Sequence, residues 1–399
     1  MASRADNERF EVAVVGLGLI GAAALRHFSI AGVRCVGIGP PEPAEWSTHH
    51  GVFASHYDSG RITRRLDKQH EWAVLAGRAI DAYAGIEAES GIGFHHPVGV
   101  LMAEVDADRL ASTIAVGSGL GVEFDTCLPG QPFGDDRVAL PSAATVLREP
   151  GPGGFIDPRR MLAAQLAVAR RRGAVIVGEQ VTGIESRSAG GWRLSTTAGS
   201  VVEAEHVVIA TGPHADELPG LPLRPRIDVL AETVVLARVS PAEQHRLDGL
   251  PSIIVDDPDS DHLYTVPPTE YPDGFVYMKL GATRAGEKVK SAAGRREWMS
   301  GDQHAADLGW LRGLLVALLP GFQAEAWLTK PCLIPETPTK LPYLEIVEPG
   351  CVMAVGSNGY AAKSADAIGA LAAGLVINGR WTDTELDERS FELITESRR

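Results

Sequence analysis

Three glycines and a few cationic side chains carry most of the chemistry open to this sequence. Gly16, Gly18 and Gly21 in GLGLIG have the G-x-G-x-x-G spacing. The first allows a tight strand-to-helix turn, the second lets a pyrophosphate approach the backbone, and the third lets helix and strand pack closely. Anionic phosphate then sits at the helix N-terminus, where free N–H groups point at it. The spacing predicts dinucleotide binding and does not separate FAD from NAD. At the end of the second strand, where an acidic side chain should hold the ribose hydroxyls, stands Gly39. Glu42, three residues on in GPPEP, is either its substitute or a solvated loop carboxylate.

Arg61 and Arg64 in SGRITRR lie three apart, so on a helical turn they share a face, which in isolation is ordinarily a solvated one. Lys279 in FVYMKLG has apolar neighbours at Met278 and Leu280, and on alternation it reads as an exposed strand lysine. Lys363 in GYAAKS follows a glycine turn, Gly356 to Gly359 with Asn358 inside it, and read alone it is a surface lysine. Cys332 in TKPCLIPETP is either an inert buried thiol or a nucleophile whose pKa Lys330 helps to lower. Tyr264 in HLYTVPP is a strand tyrosine of the kind common in cores. No histidine, aspartate or glutamate presents itself as an obvious base.

These residues need elements to hold them. Phe10 to Gly39 reads as strand, glycine turn, helix closed by Gly32, then a second buried strand: a βαβ unit. Asp157 and Pro158 start a helix that Gly173 closes. AVIVGEQVTGIES then reads as a strand, GWRLSTT and SVVEAE as a hairpin, and HVVIATG as a buried parallel strand closed by Gly212. From about Leu221 to Ala326 prolines recur and alternation replaces continuous apolar runs, the pattern of antiparallel strands. CVMAVGSNG returns to the first style, with a helix predicted from Ala362 to Asn378.

Composition bounds the partners. A chain of 399 residues holds two to three domains, or one large one with an insertion. With 37 Lys plus Arg against 51 Asp plus Glu, the net charge of −14 repels phosphate backbones, so no nucleic acid partner is expected. The apolar run from Val12 to Leu25 is too short for a membrane span, and no targeting segment is read. Cys35, Cys127, Cys332 and Cys351 lie far apart without metal-ligand spacing, which points to no metal, no disulfide scaffold and a cytoplasmic setting.

Taken in order, GLGLIG, ASHYDSGRITR, GGFIDPRR, HVVIATGPHA, YMKLG, KPC and GSNGYAAKS make the chain resemble the sarcosine oxidase branch of the D-amino-acid-oxidase-like (DAO) flavoproteins, which includes N-methyl amino acid oxidases. The likeness covers almost the whole chain. It implies an α/β, α+β two-domain fold: a Rossmann-like FAD-binding domain from residues 1–90, 151–220 and 327–399, and an antiparallel β-sheet substrate domain from 91–150 and 221–326. By the same resemblance Arg61 lies against the flavin, Arg64 and Lys363 bind the substrate carboxylate, and the Gly356–Gly359 loop meets the pyrimidine end of the ring. Lys279 would activate oxygen, Tyr264 would line the substrate pocket, and Cys332 would hold FAD through a thioether. Tyr57, after His56, stands where the family has a second histidine, which bears on the substrate more than on the reaction. The implied activity is oxidation of a secondary amine by a monomeric oxidase, with O₂ reduced to hydrogen peroxide. A flavin dehydrogenase using another acceptor and a non-catalytic flavin-binding protein are the alternatives.

Overall fold

The structure, a computed structural model, describes residues 9–257, 262–283 and 287–395. Its first sheet has eight strands and is parallel at its centre. Arg9–Val15 pairs in parallel with Cys35–Ile38 on one side and Val201–Ile209 on the other. The helix Leu19–Ile30 joins the first two strands, giving the βαβ unit that the glycine spacing predicts. Cys351–Val355 adds in parallel beside Val207 to Ile209 and leads into the helix Ala361–Asn378.

Two readings of this region need correction. SVVEAE and HVVIATG form one strand, Val201–Ile209, whose first half closes a hairpin with Trp192–Thr196 while Glu203 to Ile209 pair with Arg9–Val15. AVIVGEQVTGIES is two strands, Val175–Val177 and Val181–Ser186, with different partners. Local alternation does not reveal where a strand changes partner; hydrogen bonding to distant segments decides it.

Pro158–Arg171 starts where expected, with the Asp157 side chain accepting the Arg160 N–H as an N-cap. This helix, Leu19–Ile30 and Ala361–Asn378 are tied by a buried cluster. Arg26 donates to Gln165 and Asp366, and Gln165 donates to Asp366 at 2.8 Å. Each buried polar group is thereby satisfied, as a helix interface without water requires.

The second sheet has nine strands. Asp228–Arg238 pairs antiparallel with Val276–Thr283 and, along eleven residues, with Ala326–Glu336, the strand that carries Cys332. His262–Glu270 lies against Val276–Thr283, and Ser252–Asp256 pairs in parallel with Val100–Glu104. A small third sheet joins Arg61–Thr63, Gly154–Ile156 and His95–His96. Among the described residues no helix is long and apolar enough to cross a membrane.

Candidate active site

A cavity of about 710 Å³ runs from the glycine loop, past Ser55 to Arg61 and Tyr264, to Cys332 and on to Lys363. The loop is built for close approach. Gly16 has a φ of +93°, and a Cβ on Gly21 would lie 1.9 Å from the Gly16 carbonyl oxygen. Gly39 has the same kind of cause: a Cβ there would lie 2.6 Å from the Leu17 nitrogen. The second strand therefore ends too near the loop for any side chain, which is why the expected acid is missing. Glu42 does not replace it at the cavity wall; it is bound to Arg159 by two hydrogen bonds of 2.6 and 2.7 Å.

The two arginines do not share a helical face. Arg61–Thr63 is a strand, paired antiparallel with Gly154–Ile156, and successive side chains of a strand alternate between its faces. Ile62 and Thr63, both β-branched, favour that conformation. The consequence is two separate cationic corners. Arg61 lies 3.0 Å from Asp58, and its other nitrogen reaches the Ser55 carbonyl at 3.3 Å and the Cys332 sulfur at 3.4 Å. Arg64 lies 3.3 Å from Asp67, with its guanidinium over the Tyr360 ring. Glu149 fixes the turn beyond it by accepting the Arg65 and Leu66 N–H groups at 2.8 and 2.9 Å.

Each corner has a lysine. Lys363 donates to Asp67 at 2.7 Å, beside Arg64, and is buried on the cavity wall. Burial and the neighbouring Arg64 push its pKa down to about 8, against the pull of Asp67. Tyr83 holds the same turn by donating to the Lys363 carbonyl at 2.9 Å. Lys279 is 1% exposed, so it is not the exposed strand lysine that alternation suggests. Its strand is covered on both faces, and the ammonium donates to Asp58 at 2.5 Å and to the Gly60 carbonyl at 2.7 Å. Burial, then Arg61, lowers its pKa to about 8. Burial alone would raise the Asp58 carboxyl, but Lys279 and Arg61 hold it well below the usual range. Lys279 is not among the residues lining the cavity; Arg61 and Tyr264 are.

Cys332 lies on the cavity wall, and the cation in contact with its sulfur is Arg61, while Lys330 sits over the Trp46 ring. Burial pushes the Cys35 and Cys351 thiols, both off the cavity wall, up to about 12. Tyr264 stands opposite Gly281 in the sheet register, where a Cβ would come within 2.3 Å of the phenol oxygen. Gly212, Gly356, Asn358 and Gly359 also line the cavity. Asn358 uses its N–H on the Pro335 carbonyl at 3.0 Å and accepts the Thr337 N–H at 2.8 Å, so it ties its loop to the end of the Cys332 strand. Tyr57 is packed against Trp46 and His56, and burial pushes it up to about 12.

Several residues at or behind the cavity wall escaped the sequence reading: Asp58 and Asp67 behind the two arginines, Tyr360 and Glu232 on the wall, and the cluster in which Arg109 and His262 both engage Asp256. Asp58 and Asp67 had a signal, each lying three residues outside the arginine pair. Among the described residues seven buried side-chain polar atoms lack a partner, and five of them belong to cavity-lining residues: Ser55, Arg64, Arg109, Thr211 and Glu232. Buried polar groups are otherwise satisfied almost without exception, so this concentration marks a site for a polar ligand.

A glycine-cradled loop on a parallel sheet, opening into a cavity walled by a second sheet, defines a dinucleotide-binding protein of the Rossmann-like α/β class. The chain belongs to the DAO family of FAD dependent oxidoreductases, which it matches over residues 11–375. It is 28% identical over 216 residues to monomeric sarcosine oxidase of Streptomyces avermitilis, covering 52% of this chain and 53% of that one. That match thus spans about half the length of the curated relative. Among solved structures, NikD, an unusual amino acid oxidase essential for nikkomycin biosynthesis, superposes with a TM-score of 0.75 at 20% identity, over 98% of both chains. Glycine oxidase from Geobacillus kaustophilus gives 0.73 at 23% identity, over 97% of this chain and 99% of its own. The family makes the protein an FAD-dependent oxidoreductase. The cavity fits that cofactor: Gly16 and Gly21 of its cradle admit no Cβ, and its length carries polar atoms without hydrogen-bond partners.

Proposed function

We propose that the protein oxidises a secondary amine in an N-methyl or cyclic amino acid-like substrate to an imine, which water hydrolyses, while O₂ is reduced to hydrogen peroxide. The observation that carries this reading is the convergence of Arg64 and Lys363 on one wall of the cavity that begins at the glycine loop. A planar guanidinium beside an ammonium suits a carboxylate, which fixes the amine-bearing carbon in one orientation. FAD, when bound, accepts the two electrons of the amine and delivers them to O₂.

Gly16, Gly18 and Gly21 would hold its pyrophosphate, with Gly212, Gly356, Asn358 and Gly359 along its length and Arg61 against the ring. Cys332 would attach it covalently; its place on the wall beside Arg61 supports that role. Tyr264 and Tyr57 would shape the substrate end. We take the segments 1–90, 151–220 and 327–399 as the cofactor domain and the remainder as the substrate domain. We take the protein to act as a cytoplasmic monomer, a setting that its four free thiols suit.

A second reading has its own support. Lys279 is engaged with Asp58 and lies off the cavity wall, which favours a dehydrogenase that passes electrons to an acceptor other than O₂. One experiment separates the readings. The purified yellow protein is mixed with N-methylglycine, N-methyl-L-alanine, L-proline, L-pipecolate and glycine, first without oxygen and then with it. Bleaching of the flavin absorbance by a secondary amine, with peroxide on aeration, is the expected result. Bleaching with slow reoxidation by air and fast reoxidation by a dye acceptor supports the dehydrogenase. No bleaching by any amine overturns both.

A further inference from the structure

Among the described residues, Glu232 is the one cavity carboxylate that no cation holds. Four acidic residues line the cavity among the described residues: Glu217, Glu232, Asp256 and Glu336. Glu217 pairs with Arg295, Asp256 with Arg109, and Glu336 with Lys340. Glu232 is 6% exposed, its Oε1 has no hydrogen-bond partner, and no described residue forms an ion pair with it. In the register of Asp228–Arg238 against Ala326–Glu336 it is the direct partner of Cys332, so both side chains stand on the same face, toward the cavity. A buried acceptor left unpaired is destabilising, a cost that a ligand donating to it removes.

Other basic groups of the cavity are already engaged within the protein, His214 with Glu217 and the Phe53 carbonyl among them. Burial, with Arg159 and Arg61, pushes His56 down to about 3. His262 is engaged with Asp256, and Lys363 and Arg64 share Asp67. An amino acid-like amine enters as an ammonium, which has no free electron pair on nitrogen and cannot be oxidised until it loses a proton.

We propose that Glu232 is the proton acceptor for the substrate ammonium. The proposal rests on the amine-oxidation reading and adds a catalytic residue to it. In the step, one N–H bond of the ammonium breaks and its electron pair stays on nitrogen. The proton forms an O–H bond on the Glu232 carboxylate and later leaves to solvent; nothing is oxidised or reduced in this step.

The charged and titratable groups facing Glu232 set its working range. Glu336 and Cys332 stand on the neighbouring strand, and Asp307 ends the short Gln303–Asp307 turn. Glu287 and Lys288 lie on the edge strand beside Ala231 and Leu230, and Tyr264 is on the cavity wall. Burial, followed by Glu336 and Asp307, pushes the carboxyl up to about 8. The ionised base therefore grows in as pH rises through that value.

The test uses the flavin-loaded full-length enzyme and the panel amine it oxidises fastest. In the wild type kcat at saturating amine, which is free of the pH dependence of carboxylate binding, should rise with pH through about 8. Glu232→Gln should lower it by roughly 10²–10⁴-fold at pH 8, without that rise, and the deficit should shrink as pH nears the amine's own pKa, where free base is supplied by solution. Glu232→Asp should keep the rise at a reduced rate and serves as the control for folding. Flavin content and visible spectrum, read in parallel, should match the wild type. The proposal is overturned if Glu232→Gln keeps the wild-type pH profile, or if the deficit is the same at every pH and accompanied by an altered flavin spectrum, which would make Glu232 a cofactor contact. If the wild type oxidises no panel amine, the underlying reading falls and this one with it.

Discussion

Lys279 and Asp58, 221 residues apart in the chain, form a buried ion pair of 2.5 Å, and the pair is repeated nearby by Lys363 and Asp67 at 2.7 Å. Each aspartate also serves an arginine three residues away, Asp58 with Arg61 and Asp67 with Arg64. The segment Asp58 to Asp67 is therefore a strip in which two outer carboxylates each anchor one inner arginine and one distant lysine. Cations can stand at a cavity wall this deep only because the aspartates offset the cost of desolvating them.

The aspartates should be more sensitive to replacement than the lysines. Asp58→Asn leaves Lys279 and Arg61 buried without an anion and should cost about 3–5 kcal/mol. The double variant Asp58→Asn, Lys279→Met removes one of those charges and should regain much of the loss. Urea unfolding of the three proteins measures this, and equal midpoints for the single and double variants would contradict it.

Lys363 gives the proposed carboxylate site a pH dependence of known sign. With its pKa near 8 the lysine is charged below that value and neutral above it. Affinity for a carboxylate should therefore fall as pH rises from 7 to 9.5, by about tenfold, the worth of one charge-assisted hydrogen bond. Titration of acetate against the flavin spectrum reads this directly, and Lys363→Met should bind weakly at every pH.

Tyr264 is seated by the absence of a side chain on the next strand. Gly281→Ala would bring a Cβ within 2.3 Å of the phenol and should push the ring into the cavity. The expected result is a several-fold rise in KM and a loss of about 1–3 kcal/mol of stability. Adding Tyr264→Ala to Gly281→Ala should relieve the crowding and restore the melting temperature; a drop that persists would place the strain elsewhere.

Covalent attachment at Cys332 has a simple readout. After acid precipitation the yellow colour should stay with the wild-type polypeptide and pass into the supernatant for Cys332→Ala. Arg61→Lys keeps a positive charge but loses the planar fork that reaches Asp58, Ser55 and the sulfur together. It should yield a mixture of attached and released flavin.

Much of the scaffold is written locally. The Gly16–Gly18–Gly21 spacing and its apolar flanks specify strand, turn and helix, and Asp157 with Pro158 marks a helix start that the structure uses. Where local pattern misleads, a distant partner is the reason. Pairing with Gly154–Ile156 makes Arg61–Thr63 a strand and parts the two arginines. A loop more than two hundred residues upstream covers Lys279. Glu232 gave no signal as a carboxylate inside an apolar strand, because only the Cys332 strand beside it turns that face toward a cavity.

The sequence by itself determined the residue types and the short-range geometry: a phosphate-binding turn, cations at set intervals and, through its motifs, the family they belong to. Those features depend on contacts within a few residues, where spacing and steric limits decide the outcome. Only the tertiary structure decided which charges meet: that Asp58 claims Lys279, that Asp67 joins Arg64 to Lys363, that Glu42 goes to Arg159, and that Glu232 meets no cation among the described residues. Each outcome depends on which distant groups are desolvated together, and burial is a property of the assembled sheets rather than of any one segment.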